Sequence, residues 1–207
     1  MRRTVQLLVG VVVALAALGV GQARRIDRDF HERDLLAAAI ELAAEIGMPA
    51  DRRDAALGRA THLVADGTLR AKYGDEGARV RGIFAYQMGE GGLIVKVKRG
   101  KGALRFAGEE RVHRVSLKSV SVGAVVGGSS EWGFGLVLGL SDPELFGGDY
   151  SGSTRGATAG RESLSITELA HKNPVDAAHA HHVVLVGSAS GLSANAGSAS
   201  LSIQYVE

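Results

Sequence analysis

The sequence predicts an α+β protein: N-terminal helices packed on a curved antiparallel β-sheet or partial barrel. Three observations predict it. The apolar pattern changes period near Val80, from the 3.6 of a helix to the two of a strand. Glycine, 29 of 207 residues, concentrates after Gly74, as tight turns, bulges and closely approaching strands require. There is no cysteine, so an apolar core must hold the fold without disulfides, and thiol catalysis and Cys-based zinc sites are excluded.

Residues 1–23 read as a signal peptide. MRR is a positive n-region, VQLLVGVVVALAALGVG is an apolar run, and Gly21-Gln22-Ala23 offers a small-residue cleavage site before Arg24. The alternative is a retained anchor, because the run approaches the length of a membrane span. Loss of Arg2 and Arg3 takes the formal charge from +2 to 0, which argues against a general attraction to nucleic acid. The expected location is periplasmic or secreted.

Residues 24–78 form an N-terminal helical segment. Asp29 is a candidate N-cap. Leu35, Leu36, Ala39, Ile40, Leu42, Ala43 and Ile46 make an apolar stripe that Gly47 and Pro49 end. This helix packs on the sheet or, with Arg24, Arg25 and Arg28 beside it, lies on a membrane. A second helix spans about Asp51 to Ala65, and Thr68 to Gly77 reads as a polar connection.

Residues 79–207 form the β-rich domain. Ile83 to Tyr86 is a short strand. Leu93 to Lys98 alternates, Arg99-Gly100-Lys101-Gly102 reads as a turn, and Ala103 to Phe106 returns, giving a hairpin. Arg111–Leu117, Val120–Val126 and Phe134–Leu140 are further strands. Asp142-Pro143-Glu144 begins a helix that aborts at Gly147-Gly148. A loop follows, then a short strand at Leu164–Ile166. The stretch VVLVGSASGLSANAGSASLSI (Val183–Ile203) holds two strands. Val183–Val186 is a continuous apolar run, as in a strand covered on both faces, and Ser198–Gln204 alternates strictly.

The order of several motifs resembles a SYLF domain, a lipid-binding domain also known from yeast actin-patch proteins. ARVRGIFAY (Ala78–Tyr86) and GGLIVKVKRGKGALRF (Gly91–Phe106) are similar to its opening elements. SVSVGAVVGGSSEWGFGLVLGL (Ser119–Leu140) stands where the family has a Ser/Gly-rich strand with glutamines, which are absent here. GDYSGSTRGATAGRES (Gly148–Ser163) and the closing Ser/Gly stretch echo the rest. The resemblance implies a distant bacterial-type exported member: an envelope protein, non-enzymatic, that binds lipid or anionic membrane surfaces. The alternative is a periplasmic structural or protein-interaction module without lipid binding.

The candidate lipid-binding residues are Lys96, Lys98, Arg99, Lys101 and Arg105, with Arg111, Arg114 and Lys118 on the next strand. Cations near an anionic surface contribute about 1 kcal/mol each. The plainer reading is a solvated outer sheet face. His171, His179, His181 and His182 read as a solvated loop rather than a metal site, because no complete ligand set is visible. No phosphate-binding glycine loop and no GxSxG elbow occurs. No catalytic residue, cofactor or metal is therefore expected. Trp132 and Phe134 read as core aromatics at a strand start.

Overall fold

The computed structural model describes residues 25–91, 95–122, 130–159, 162–175, 180–190 and 197–206, some side chains at strand ends excepted. The segment read as a signal peptide lies outside them. Three helices come first: α1 (Glu32–Glu45), α2 (Ala50–Ala65) and α3 (Thr68–Gly77). Eight strands follow: β1 (Val80–Gly91), β2 (Val95–Phe106), β3 (His113–Val122), β4 (Ser130–Leu138), β5 (Gly148–Ala159), β6 (Glu162–His171), β7 (His182–Ser190) and β8 (Gly197–Val206). A 3₁₀ turn, Pro143–Phe146, precedes β5.

The strands close into a barrel in the order β1-β2-β3-β8-β5-β6-β7-β4, every neighbouring pair antiparallel. This corrects the expected fold class of helices on an open curved sheet or partial barrel. Each strand has two partners and no edge remains, so the barrel is complete and the helices are its outer cover. The order reads as two Greek keys, 4-1-2-3 and 8-5-6-7, placed side by side.

Two cores result. Outside the wall, α1 and α2 bury Leu35, Ala38, Ala39, Leu42, Ala56, Leu57, Ala60 and Leu63 against Ile83, Ala85, Phe134, Leu136, Val184 and Val186. Inside it, Phe84, Tyr86, Leu104, Phe106, Val115, Tyr150, Leu169, Val183, Leu185 and Ile203 pack together. Alternate residues of β1, β4 and β7 thus feed different cores, which accounts for the unbroken apolar run at Val183–Val186. Phe146 plugs one end, edge-on to Phe84 and Phe106 at 5.8 and 5.9 Å.

α1 buries Leu35, Ala38, Ala39, Leu42 and Ala43, the i, i+3, i+4, i+7, i+8 positions of one face, whereas Ile40 is half exposed. The helix stops at Gly47, whose φ of +70° is the left-handed conformation of a C-terminal cap. It begins at Glu32, and Asp29 caps nothing. Asp29 instead pairs with Arg81 at 2.9 Å, tying the N-terminal segment to β1. Thr68–Gly77, expected as a connection, is helical.

The glycines explain another correction. Arg99-Gly100-Lys101-Gly102 is no turn; it lies in the middle of β2. A Cβ at Gly100 would stand 2.0 Å from the Gln87 carbonyl oxygen, and one at Gly133 2.2 Å from that of Val186. These glycines let strands bend closely past their neighbours so that a small barrel can close.

Candidate functional site

Strand parity divides the predicted basic cluster. On β2, Leu104 and Phe106 point into the barrel, so Lys98 does too, while Arg99, Lys101 and Arg105 face outward. The Lys96 side chain lies outside the described residues. The five cations therefore do not share one face.

Inside, Lys98 meets Glu131 of β4 in an ion pair with only 13% and 8% of the two side chains exposed. The other Glu131 oxygen accepts a 2.8 Å hydrogen bond from the Tyr86 hydroxyl. Tyr86 is fully buried, and burial, reinforced by the Glu131 charge, pushes its phenol well above the ordinary range. The cluster needs glycine neighbours. A Cβ at Gly187 would lie 2.2 Å from Glu131 Oε1, and one at Gly133 2.8 Å from the Tyr86 oxygen. Because β1 sits between β2 and β4, the pair reaches across a strand and fastens three together.

Outside, two cations are neutralised by α1: Arg105 pairs with Glu41, and Arg114 with Glu45 at 3.0 Å. Arg99, Lys101 and Lys118 are exposed and make no ion pair among the described residues. Arg99 stands directly opposite Lys118 across the β2–β3 ladder, and Lys101 opposite Ser116. Like charges facing each other across a ladder are destabilising, so this outer face carries an uncompensated positive patch. Lys118 was legible as one of the next-strand cations. What the sequence did not show was that register would make it, rather than Lys98 or Arg105, the companion of Arg99.

The histidines do not form a solvated loop throughout. His171 ends β6 and His181 precedes β7, both at the plugged end of the barrel against Tyr150 of β5. His181 is 2% exposed, and its Nε2 lies 2.9 Å from the Tyr150 hydroxyl. The His171 and His181 rings are 4.8 Å apart, and Tyr150 stands edge-on to His171 at 5.0 Å. Both His171 ring nitrogens are buried without a hydrogen-bond partner among the described residues. His182 stacks on Tyr73 at 4.5 Å, and burial, with Lys72 nearby, lowers its pKa. His179 lies outside the described residues.

The serines near Asp149 are strand residues on β5. Ser151 and Ser153 face outward and exposed, opposite Ser200 and Ser198 of β8. Thr154 exchanges a 2.9 Å hydrogen bond with Thr167 of β6. Trp132 packs beneath the helices, and Phe134 is fully buried there.

No protein-family model matches the chain, and no curated protein matches it. Among solved structures it is similar to a beta-barrel-like, uncharacterised protein from Brucella abortus, with 18% identity over 86% of this chain and 96% of that one and a TM-score of 0.46.

Proposed function

We propose that the protein is an exported, non-enzymatic module that docks weakly on anionic membrane surfaces through the outer face of β2 and β3. The observation that carries this reading is the uncompensated patch of Arg99, Lys101 and Lys118, two of them placed opposite each other at a cost in stability. The order of SYLF-like motifs and the signal-like N-terminus support it. Lys98 and Arg105 leave the set, because each is already paired with a carboxylate. At about 1 kcal/mol per cation, three give about 3 kcal/mol of attraction, enough for reversible association and not for a permanent anchor.

A second reading, docking of a protein partner, draws on the adjoining outer face, where Ser198 and Ser200 of β8 lie beside Ser153 and Ser151 of β5. Sedimentation of the mature chain with vesicles decides between them. Binding to phosphatidylglycerol-containing vesicles is expected at 0.05 M salt. It should fade as added salt shortens the Debye length from about 10 Å at 0.1 M towards 3 Å at 1 M, and be absent on neutral vesicles. The variant R99Q/K101Q/K118Q should lose binding with stability unchanged or slightly raised, since it removes a repulsion. A variant that still binds as well as the parent overturns the reading.

A further inference from the structure

We infer that His171, His181 and Tyr150 form a binding site for a transition-metal dication at the plugged end of the barrel. This goes beyond the membrane reading and does not depend on it.

The argument starts from an imbalance. Buried polar groups are nearly always hydrogen-bonded, and an exception calls for an explanation such as an unseen ion. His171 breaks the rule twice, since neither ring nitrogen has a partner among the described residues. A neutral imidazole carries one N–H donor and one acceptor nitrogen, so both functions are wasted here. Nor is the ring placed there by default. Gly148 adopts a φ of +144°, and a Cβ on it would lie 2.4 Å from His171 Nε2. The backbone of β5 therefore leaves out a side chain at the very spot the imidazole occupies.

The surroundings supply further ligands. Two imidazoles on one zinc ion, with Zn–N about 2.0–2.1 Å, set their ring centroids roughly 5 Å apart at a tetrahedral angle; those of His171 and His181 are 4.8 Å apart. The Tyr150 oxygen is already 2.9 Å from His181 Nε2. No group of three His, Asp or Glu side chains suited to a metal occurs among the described residues, so the third ligand here is phenolic. An N₂O set of two imidazoles and a phenol suits zinc or copper better than calcium or magnesium. On binding, the phenol proton leaves to solvent and its oxygen takes the metal. Because that hydroxyl donates to Phe146, His181 Nε2 carries the proton of its bond to Tyr150 and must give it up, by a shift of tautomer, before that nitrogen can ligate. The Phe146 carbonyl, to which that hydroxyl now donates, is then released to water or to a small shift of the 3₁₀ turn.

The test uses untagged mature protein with Zn²⁺ and, separately, Cu²⁺. Zn²⁺ in excess of its dissociation constant should raise the melting temperature by several degrees, because an ion that binds only the folded state stabilises it by mass action. Cu²⁺ should add a visible phenolate-to-copper absorption band. His171→Ala should abolish the thermal shift, Tyr150→Phe should remove the band, and His62→Ala, on the exposed face of α2, should change neither. Absence of any shift with either ion, or of the band in the parent protein, overturns the inference. So does a shift that survives in His171→Ala, or one that disappears in His179→Ala while His171→Ala keeps it. Should His171→Ala fail to fold, a band persisting in Tyr150→Phe overturns it alone.

Discussion

Replacing Glu131 by alanine tests whether the ion pair inside the barrel fastens the wall. The substitution strips the counter-ion from Lys98 and the acceptor from Tyr86 at once. Removing one partner of a buried pair costs about 3–5 kcal/mol. Lys98 retains some contact with water, its side chain being 13% exposed, which favours the lower end. The Tyr86 hydroxyl has no such relief, and an orphaned buried hydroxyl accounts for about 1–3 kcal/mol of the loss. The expected sum is about 3 kcal/mol, a large part of the roughly 5–15 kcal/mol that holds a domain folded. Urea unfolding followed by far-UV circular dichroism reads it as a lower midpoint. Two companions sharpen the test. Tyr86→Phe combined with Glu131→Ala should cost about 1–2 kcal/mol less than the separate losses added together, since the hydroxyl is no longer there to be orphaned. Lys98→Met with Glu131→Leu should recover much of the loss, because apolar groups of similar volume replace buried pairs at little cost. If Glu131→Ala alone stays within about 1 kcal/mol of the parent, or if the double variant is additive, Lys98 is effectively solvated and the cluster does not fasten the wall.

Two further outcomes follow from the interior. Gly135→Ala should destabilise by about 1–3 kcal/mol: its Cβ would fall 2.1 Å from the Phe84 ring, which Phe146 and Tyr86 keep from retreating; Gly89→Ala, with open space around it, should be neutral in the same unfolding assay. The tyrosines give a pH dependence, since burial raises the phenols of Tyr86 and Tyr150. Stabilisation of a group whose folded pKa is raised is complete below its unfolded value of about 10 and is lost as pH climbs towards the folded one. Phenolate absorbance should therefore lag behind model tyrosine above pH 10 and then rise together with unfolding; an early, full rise in protein that is still folded would refute the burial.

The period of apolar residues made the helices on one side and most of the strands legible, because a helix stripe and a strand alternation are local properties. Val183–Val186 showed its burial on both faces for the same reason. β5 was invisible: Tyr150 is the only large apolar residue in GDYSGSTRGATA, since its inward positions beyond Tyr150 hold small residues. Closure was invisible too. The pairs β1–β4 and β3–β8 join segments distant in sequence, and alternation says which face a residue takes but not which strand lies beside it. Gly100 and Gly102 carry the signature of a turn and serve instead as close-approach points, so the basic residues around them were read at a hairpin tip when they alternate through a wall. Of the candidate site, the residue types were legible and their grouping was not. Parity sent Lys98 inward, α1 took Arg105, and the pair of His171 and His181 emerged only when β6 and β7 came together.

The position of β8 makes the barrel a structure that a single strand completes. β3 and β5 never meet; the ten residues from Gly197 to Val206 stand between them. Until that strand is in place, both halves of the molecule present a bare line of backbone donors and acceptors, each a template for a strand from any other chain. A chain in which β8 is not yet paired therefore remains adhesive along two margins, and loss of those ten residues would open the closed wall on both sides rather than merely remove one strand.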